Sequence, residues 1–335
     1  MRSERSQYSF DLLELDLTME DLMGRPRPGM ADHAGGLGAG AMTAGPLALR
    51  ATWTAAAVTG RVSARVARPF VSHLWFTPWR VPVPETVRRR EDSWLRDTRP
   101  LTLRTRAGDL AAFTAGEGPT VLLVHGWGER ASAMGNLIAP LVAAGHRVVG
   151  MDLPGHGANP ASRTDLPSAA ASLRAASAHL GGVDAVVAHS LGGLATVVAL
   201  RDGLNAGAVV LLAPAVRLDA ALARFAVQMR LPSRAVAGLR HDIANRFGPA
   251  VWEDYRADRI AAGLTTAALI VHDEADPQVD LADVQALTES WPGARLHSTT
   301  GLGHRRLLRD PGVATAVTQF LTEALAQLPN RATST

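Results

Sequence analysis

Ala185-Val186-Val187-Ala188-His189-Ser190-Leu191-Gly192-Gly193-Leu194 is the stretch whose reading decides the fold of this chain. An apolar run, Ala185 to Ala188, ends at a His-Ser pair. Two glycines follow one residue later, and Leu194 to Leu200 is again mostly apolar. The pattern predicts a buried strand, a very tight turn and a helix. A serine at such a turn is lifted off the backbone into a strained, exposed position with a helix N-terminus behind it. This is the arrangement written G-x-S-x-G and called a nucleophile elbow. Ala188 stands where that motif has its first glycine. The turn needs a small residue there, so that strand and helix can approach, and alanine is the next smallest. The same stretch also reads as a plain strand-to-helix turn with a serine N-cap. The rest of the chain has to choose between the two.

The 335 residues are 47% hydrophobic and 19% charged, which suits a globular protein with a sizeable core. The formal net charge is only +3, and all 34 basic residues are arginine. Arginine stays charged far above the pH where lysine titrates, so a basic isoelectric point follows from that choice alone and does not argue for nucleic acid. Cysteine is absent, which excludes disulfides, cysteine metal sites and a thiol nucleophile.

Residues 1–45 read as a disordered leader. Phe10 to Met23 is acidic and leucine-containing, and Gly24 to Gly45 is Gly-, Ala- and Pro-rich and can bury little. An acidic start without a leucine-rich run is not a signal peptide. Residues 46–98 read as a helical leader and a proline-rich strap: a helix from Leu47 to about Phe76 broken at Pro69, then Phe76-Thr77-Pro78-Trp79-Arg80-Val81-Pro82-Val83-Pro84. Leu37 to Gly60 is the nearest approach to a membrane span, and Arg50 interrupts it. A helix packed on the main domain is favoured over one lying on a membrane surface. Arg88 to Arg90 are expected on a solvated face.

From residue 99 the pattern becomes that of one compact domain, expected over 99–214 and 264–330. Leu101–Thr105 and Leu110–Thr114 alternate as a hairpin turned at Asp109. Val121–Val124, His146–Met151, Ala185–Ala188, Ala208–Leu212, Leu269–His272 and Ala294–Ser298 read as strands, with helical stretches between them. Such alternation implies a mostly parallel, doubly wound α/β sheet covered on both faces. Residues 215–263 hold no convincing strand and are arginine-rich. They are expected to form two to four short helices, a small cap inserted in the core. The cap arginines read as solvated, with an anionic substrate or an acidic carrier domain as the sharper alternative.

Ligands in parallel sheets bind beyond the C-terminal strand ends. Four polar stretches fall there: His125-Gly126-Trp127-Gly128, His189-Ser190-Leu191, His272-Asp273-Glu274-Ala275-Asp276 and Gly301-Leu302-Gly303-His304. Over residues 100 to 326 the chain resembles the α/β-hydrolase superfamily, with Ser, Asp and His in the chain order that superfamily uses. The strap, Val-His-Gly-Trp-Gly, Ala-His-Ser-Leu-Gly and Gly-Leu-Gly-His-Arg-Arg-Leu-Leu-Arg-Asp-Pro together look like a group of bacterial α/β-hydrolase-fold proteins with an N-terminal helical leader and undefined substrates.

The resemblance implies a serine hydrolase cleaving carboxylic esters, with Ser190 as nucleophile and His304 as its base. The orienting acid is expected at Asp276, because Asp-Pro-Gln-Val after a strand matches the family's acid loop. Asp273 is the second choice and Glu274 the third. The oxyanion would meet the N–H groups of Trp127 and Leu191. Trp127 and His189 are expected to line the substrate, although His125 and His189 beside such motifs more often serve structure. His156 is expected to hold a turn. No metal-ligand spacing and no G-x-G-x-x-G is present, so neither metal nor cofactor is called for. The expected partner is a small acyl substrate, not nucleic acid, and the expected location is cytoplasmic. Thioesterase, lactonase or amidase activity by the same residues, or a non-catalytic binding module, are the alternatives.

Overall fold

The computed structural model describes residues 64–79, 83–106, 108–160 and 162–327. The leader expected over 1–45, and the helix expected from Leu47 as far as residue 63, lie outside the described residues. Helices α1 (Ala64–Phe76) and α2 (Glu85–Trp94) precede a hairpin of β1 (Arg99–Thr105) and β2 (Gly108–Ala115). Then come β3 (Thr120–Val124), a 3-10 turn (Ala131–Leu137), α3 (Ile138–Ala143), β4 (Arg147–Met151), α4 (Leu166–His179), β5 (Ala185–His189), α5 (Leu191–Arg201) and β6 (Ala208–Leu212). Four helices follow without a strand: α6 (Leu218–Gln228), α7 (Ser233–Phe247), α8 (Val251–Asp254) and α9 (Ala257–Ala261). The chain closes with β7 (Ala267–Asp273), α10 (Leu281–Ser290), β8 (Arg295–Thr299), α11 (Gly303–Arg306), a short 3-10 turn (Leu307–Arg309) and α12 (Pro311–Ala326).

The strands form one eight-stranded sheet in the order β1-β2-β4-β3-β5-β6-β7-β8. β1 and β2 are antiparallel, β2 meets β4 antiparallel, and every pairing from β4 to β8 is parallel. The central strands are apolar on both faces because both faces are covered. Leu122, Val124, Val149, Val186, Val209 and Ile270 join one buried cluster with α4, α5 and α10. Val121, Leu123, Val148, Val187, Val210 and Val271 join the other with α3 and α12. Aspartates cap several of the covering helices: Asp165 accepts from Ser168 N–H, Asp280 from Ala282 N–H and Asp310 from Val313 N–H.

Two local expectations are corrected. Asp109 does not turn the hairpin. It lies within β2 opposite Arg104, and the reversal falls between Thr105 and Gly108. Gly108 has φ of 124°, a conformation that residues with a side chain rarely adopt, so the glycine rather than Asp109 makes the turn. Nor does Pro69 break the leader helix, since α1 runs through it. Pro69 is exposed, so water can take the carbonyl left without its N–H partner four residues back.

Helix α1 packs against the four-helix segment. Val71 and Phe76 are buried, Trp75 meets Phe225 edge-on at 5.2 Å, Phe76 lies 6.1 Å from the Phe247 ring, and Arg68 pairs with Asp242. The arginines of that segment largely find partners: Arg217 with Asp283, Arg246 with Asp165, Arg256 with Asp258, Arg259 with Glu253, and Arg240 over the Trp252 ring at 4.0 Å. Arg88 and Arg89 are exposed and pair with Glu85. Among the described residues no helix is long and apolar enough to cross a membrane.

Gly150 sits opposite Phe113 in the β2–β4 ladder, where a Cβ would lie 2.1 Å from the aromatic ring. Gly150→Ala must push the ring out or part the strands. It is expected to lower stability by about 1–3 kcal/mol, read as a fall in the urea midpoint with an unchanged slope.

Candidate active site

At the end of β5 the chain turns into α5 within one residue. Ser190 sits at φ 52°, ψ −121°, a conformation that strains a non-glycine residue by about 1–3 kcal/mol. Backbone hydrogen bonds hold it there: Ser190 N–H donates to Leu212 O at 3.0 Å, and Ser190 O accepts from Gly193 N–H at 2.9 Å and Ala215 N–H at 3.0 Å. The glycines around it serve close approach. A Cβ on Gly192 would lie 2.5 Å from the His125 carbonyl and 2.8 Å from that of Val124, and one on Gly126 would lie 3.0 Å from the Ser190 Cβ. Helix α5 can start this near β3 only because residue 192 has no side chain.

The loop after β8 brings His304 onto the elbow from a sequence distance of 114 residues. Its Nε2 lies 2.9 Å from Ser190 Oγ, and its Nδ1 lies 2.8 Å from Asp276 Oδ2. Asp276 is kept in place by its second oxygen, which accepts from Gln278 N–H at 2.6 Å and Val279 N–H at 3.2 Å. Its side chain is fully enclosed. Asp273, at the end of β7, does not reach the imidazole. It accepts from Ala275 N–H, Thr299 Oγ1 and Leu302 N–H, and so ties the acid loop to the loop that carries His304. Glu274 is exposed.

Burial pushes the His304 imidazole down to about 4. The Asp276 hydrogen bond opposes that shift without cancelling it, and the neighbouring His189 adds to it. Burial would raise Asp276, but its hydrogen bond and attraction to His304, together with the Gln278 N–H and His272, hold the carboxyl below its usual range. The ring is therefore neutral at pH 7, with Nδ1–H donating to Asp276 and Nε2 open to the serine hydroxyl proton.

Beyond β3 and β4 the loops are held by a second polar set. His125 is fully buried, with Nδ1–H donating to Gly126 O at 2.7 Å and Nε2 accepting from Leu153 N–H at 3.0 Å. Asp152 accepts from Ala131 N–H and Ala158 N–H. The His156 ring packs between the Trp127 indole, edge-on at 5.1 Å, and His125 at 5.2 Å. Trp127 is partly exposed beside Ser190's neighbour Gly126. Among the described residues, the main-chain N–H groups of Trp127 and Leu191 donate to no protein acceptor.

His189 is a correction. Expected among the substrate-lining side chains, it has no exposed surface, and both ring nitrogens face protein: Nδ1 lies 2.8 Å from Glu129 Oε2, and Nε2 lies 3.0 Å from the His304 carbonyl. A ring so enclosed cannot meet substrate. Glu129 went unnoticed in the sequence. It accepts from Gly126 N–H at 2.9 Å and lies 3.3 Å from Arg305, but its partner His189 is 60 residues away, so no local spacing marks it. Among the described residues no group of three or more His, Cys, Asp or Glu side chains could hold a metal ion.

The charge state of His304 can be followed by NMR titration of the histidine rings, its signals assigned by their loss in His304→Gln. The ring is expected to stay neutral through about pH 6 and to take its second proton as the pH falls toward about 4, below the ordinary 6.5. Because the unfolded chain takes that proton first, the stability this group contributes is full above about 6.5 and is lost as the pH falls toward about 4. A midpoint at or above 6.5 would contradict the burial argument.

The model of the alpha/beta hydrolase family matches residues 121–317. Among solved structures, an esterase from Pyrococcus furiosus superposes with a TM-score of 0.58 at 19% identity, over 75% of this chain and 98% of that one. A monoacylglycerol lipase from Paleococcus ferrophilus gives 0.51 at 24% identity, over 64% and 99%. A haloalkane dehalogenase from Agrobacterium tumefaciens gives 0.55 at 14% identity, over 70% and 99%. At these identities the likeness is one of fold, and the fold carries more than one chemistry. No curated protein matches the chain. The family match spans more than half of the chain, from the start of β3 into α12, and the parallel sheet with helices on both faces is the architecture that goes with it: the chain belongs to the alpha/beta hydrolase family.

Proposed function

We propose that the protein is a serine hydrolase that cleaves carboxylic esters of small molecules through an acyl-enzyme on Ser190. The observation that carries this reading is the continuous hydrogen-bonded relay Ser190 Oγ–His304 Nε2, His304 Nδ1–Asp276 Oδ2, at 2.9 and 2.8 Å. A serine hydroxyl is barely ionised at neutral pH and needs a base within hydrogen-bond reach. A buried, neutral His304 supplies one. As Ser190 Oγ bonds to the ester carbonyl carbon, its proton passes to His304 Nε2, and Asp276 stabilises the imidazolium that forms. The carbonyl electron pair moves onto oxygen, where the N–H groups of Trp127 and Leu191 would meet it. Collapse breaks the bond to the leaving alkoxide, which takes the proton from His304. Water, giving its proton to His304, then attacks the acyl carbon and releases the acid, and the proton returns to Ser190.

The same sequence of steps serves thioesters, lactones and amides. A serine at the elbow supports this chemistry over carbon–halogen cleavage in the manner of family members that attack with an aspartate. Helices α6 to α9 are read as the cap of the pocket. Arg217 pairs with Asp283, and Arg224 donates to the Pro277 carbonyl at 3.3 Å, so the segment leans on the acid loop. The pairing of most cap arginines favours a structural role for them over docking of an acidic carrier.

Hydrolysis of p-nitrophenyl esters across acyl lengths, with labelling by a fluorophosphonate probe, tests the reading. Ser190→Ala is expected to abolish labelling and to lower kcat by at least about 10³-fold. Asp276→Ala is expected to lower kcat by about 10³- to 10⁴-fold with the fold intact. Asp273→Ala, which frees Leu302 N–H and Thr299, is expected to act chiefly on stability. A wild-type protein that neither hydrolyses any ester nor takes the probe would point to a binding module on the same fold.

A further inference from the structure

His189 has an acceptor at each ring nitrogen. Glu129 Oε2 faces Nδ1 at 2.8 Å and the His304 carbonyl faces Nε2 at 3.0 Å. A carbonyl cannot donate, so Nε2 carries a proton. The Glu129 oxygen at Nδ1 also accepts from Gly126 N–H at 2.9 Å, and its partner oxygen lies 3.3 Å from the Arg305 guanidinium, so Glu129 is a carboxylate and Nδ1 must donate as well. The ring is then an imidazolium, enclosed without exposed surface beside a carboxylate whose side chain is 10% exposed. Burial by itself would raise Glu129, but the charge and hydrogen bond of His189, then Arg305 and the Gly126 N–H, hold it well below the usual carboxylate range.

The pair touches three of the four loops at the site. Glu129 holds Gly126, which precedes Trp127. His189 precedes Ser190 in the chain. Its Nε2–H holds the main chain of His304, and the two imidazole rings lie 4.9 Å apart. We infer that the buried Glu129–His189 ion pair is a positioning element of this enzyme: it locks His304 over Ser190 through its carbonyl and places a positive charge beside its ring, the two centroids 4.9 Å apart. The inference rests on reading His304 as the base. The charged and titratable groups around His304 are Asp276 at Nδ1, His272 behind it with Nδ1 3.8 Å from Asp276, Asp273 on the Leu302 N–H, His189 and Glu129 from the elbow side, and Arg305 from its own helix. Burial is the main reason His304 is neutral; His189 adds to it, and Glu129 offsets part of that field.

The sign of the effect separates positioning from mere support. Removing the cation in His189→Gln leaves the Glu129 carboxylate facing His304, so His304 binds its proton more readily. The acid limb of kcat/KM is expected to move up by about one pH unit, and kcat to fall by about tenfold or more with KM nearly unchanged. Removing both charges in His189→Gln/Glu129→Gln is expected to return the limb toward the wild-type position. A fall in activity in all variants with no movement of the limb would assign the pair a structural role and overturn the inference. A readout free of activity stands beside these. In ¹⁵N NMR of the full chain at pH 7, His189 is expected to show both ring nitrogens protonated, and in Glu129→Gln only one. A neutral His189 in the wild type overturns the inference even if His189→Gln fails to fold. A wild type inert toward esters and fluorophosphonate, with His189 charged, would defeat the proposed function and leave the ion pair in place.

Discussion

The close approach of helix α5 to strand β3 is the constraint on which the rest of the site depends. Gly192 lies against the carbonyls of Val124 and His125, and no side chain fits between them. That contact forces the chain to reverse within one residue at the end of β5, and Ser190 takes the positive φ that results. The strain is on the order of 1–3 kcal/mol. Three backbone hydrogen bonds to Leu212, Gly193 and Ala215 hold the residue there, each contributing about 0.5–1.5 kcal/mol net. The two terms are of the same size, so the strained serine persists because the elbow is built into the centre of the sheet, where β5 cannot shift without parting from both β3 and β6.

Around that elbow, burial has opposite consequences for neighbouring histidines, and partners explain the difference. His125 pairs with one acceptor and one donor, so it is satisfied as a neutral ring. His304 has a carboxylate on one nitrogen and a hydroxyl on the other, and burial keeps it neutral and ready to accept a proton. His189 faces two acceptors, and only the doubly protonated ring satisfies both. Three imidazoles in one polar layer thus have three hydrogen-bonding tasks, each set by what the adjoining loop presents.

Helix α1, which lies before the family match, is joined to the core rather than appended to it. Trp75 and Phe76 of α1 pack on Phe225 and Phe247 of the four-helix segment, and the Phe76 carbonyl accepts from Thr164 N–H at 2.7 Å. Trp79, whose ring approaches Phe225, has its carbonyl 3.5 Å from where a Cβ on Gly128 would lie. Trp79 therefore lies beside the loop that carries Trp127.

Much of the fold was legible in the chain because it follows from periodicity. Val121 to Val124 and Ala208 to Leu212 are apolar on both faces, which only a covered parallel sheet allows, and the turn chemistry of Ser190-Leu191-Gly192-Gly193 is local. Asp109 and Pro69 misled for the opposite reason: turn and helix-breaking tendencies are weak beside ladder pairing with Arg104 and the packing of Val71 and Phe76. The motif order singled out Ser190, Asp276 and His304, and left Asp273 and Glu274 in competition for the acid. Asp273 lies three positions before Asp276, and the preference for Asp276 rests on the likeness of Asp276-Pro277-Gln278-Val279 to the family's acid loop, not on spacing. The tertiary structure brings Asp276 to His304 and turns Asp273 to the Thr299 hydroxyl and the Leu302 N–H. Glu129 was invisible altogether, and His189 was misassigned, because a contact across 60 residues leaves no trace in local spacing. The sequence by itself determined which elements form and which loops gather at the strand ends, since those follow from short-range sterics and apolar pattern. Which polar atom meets which, and hence which group is charged, was decided only when folding removed water from around them.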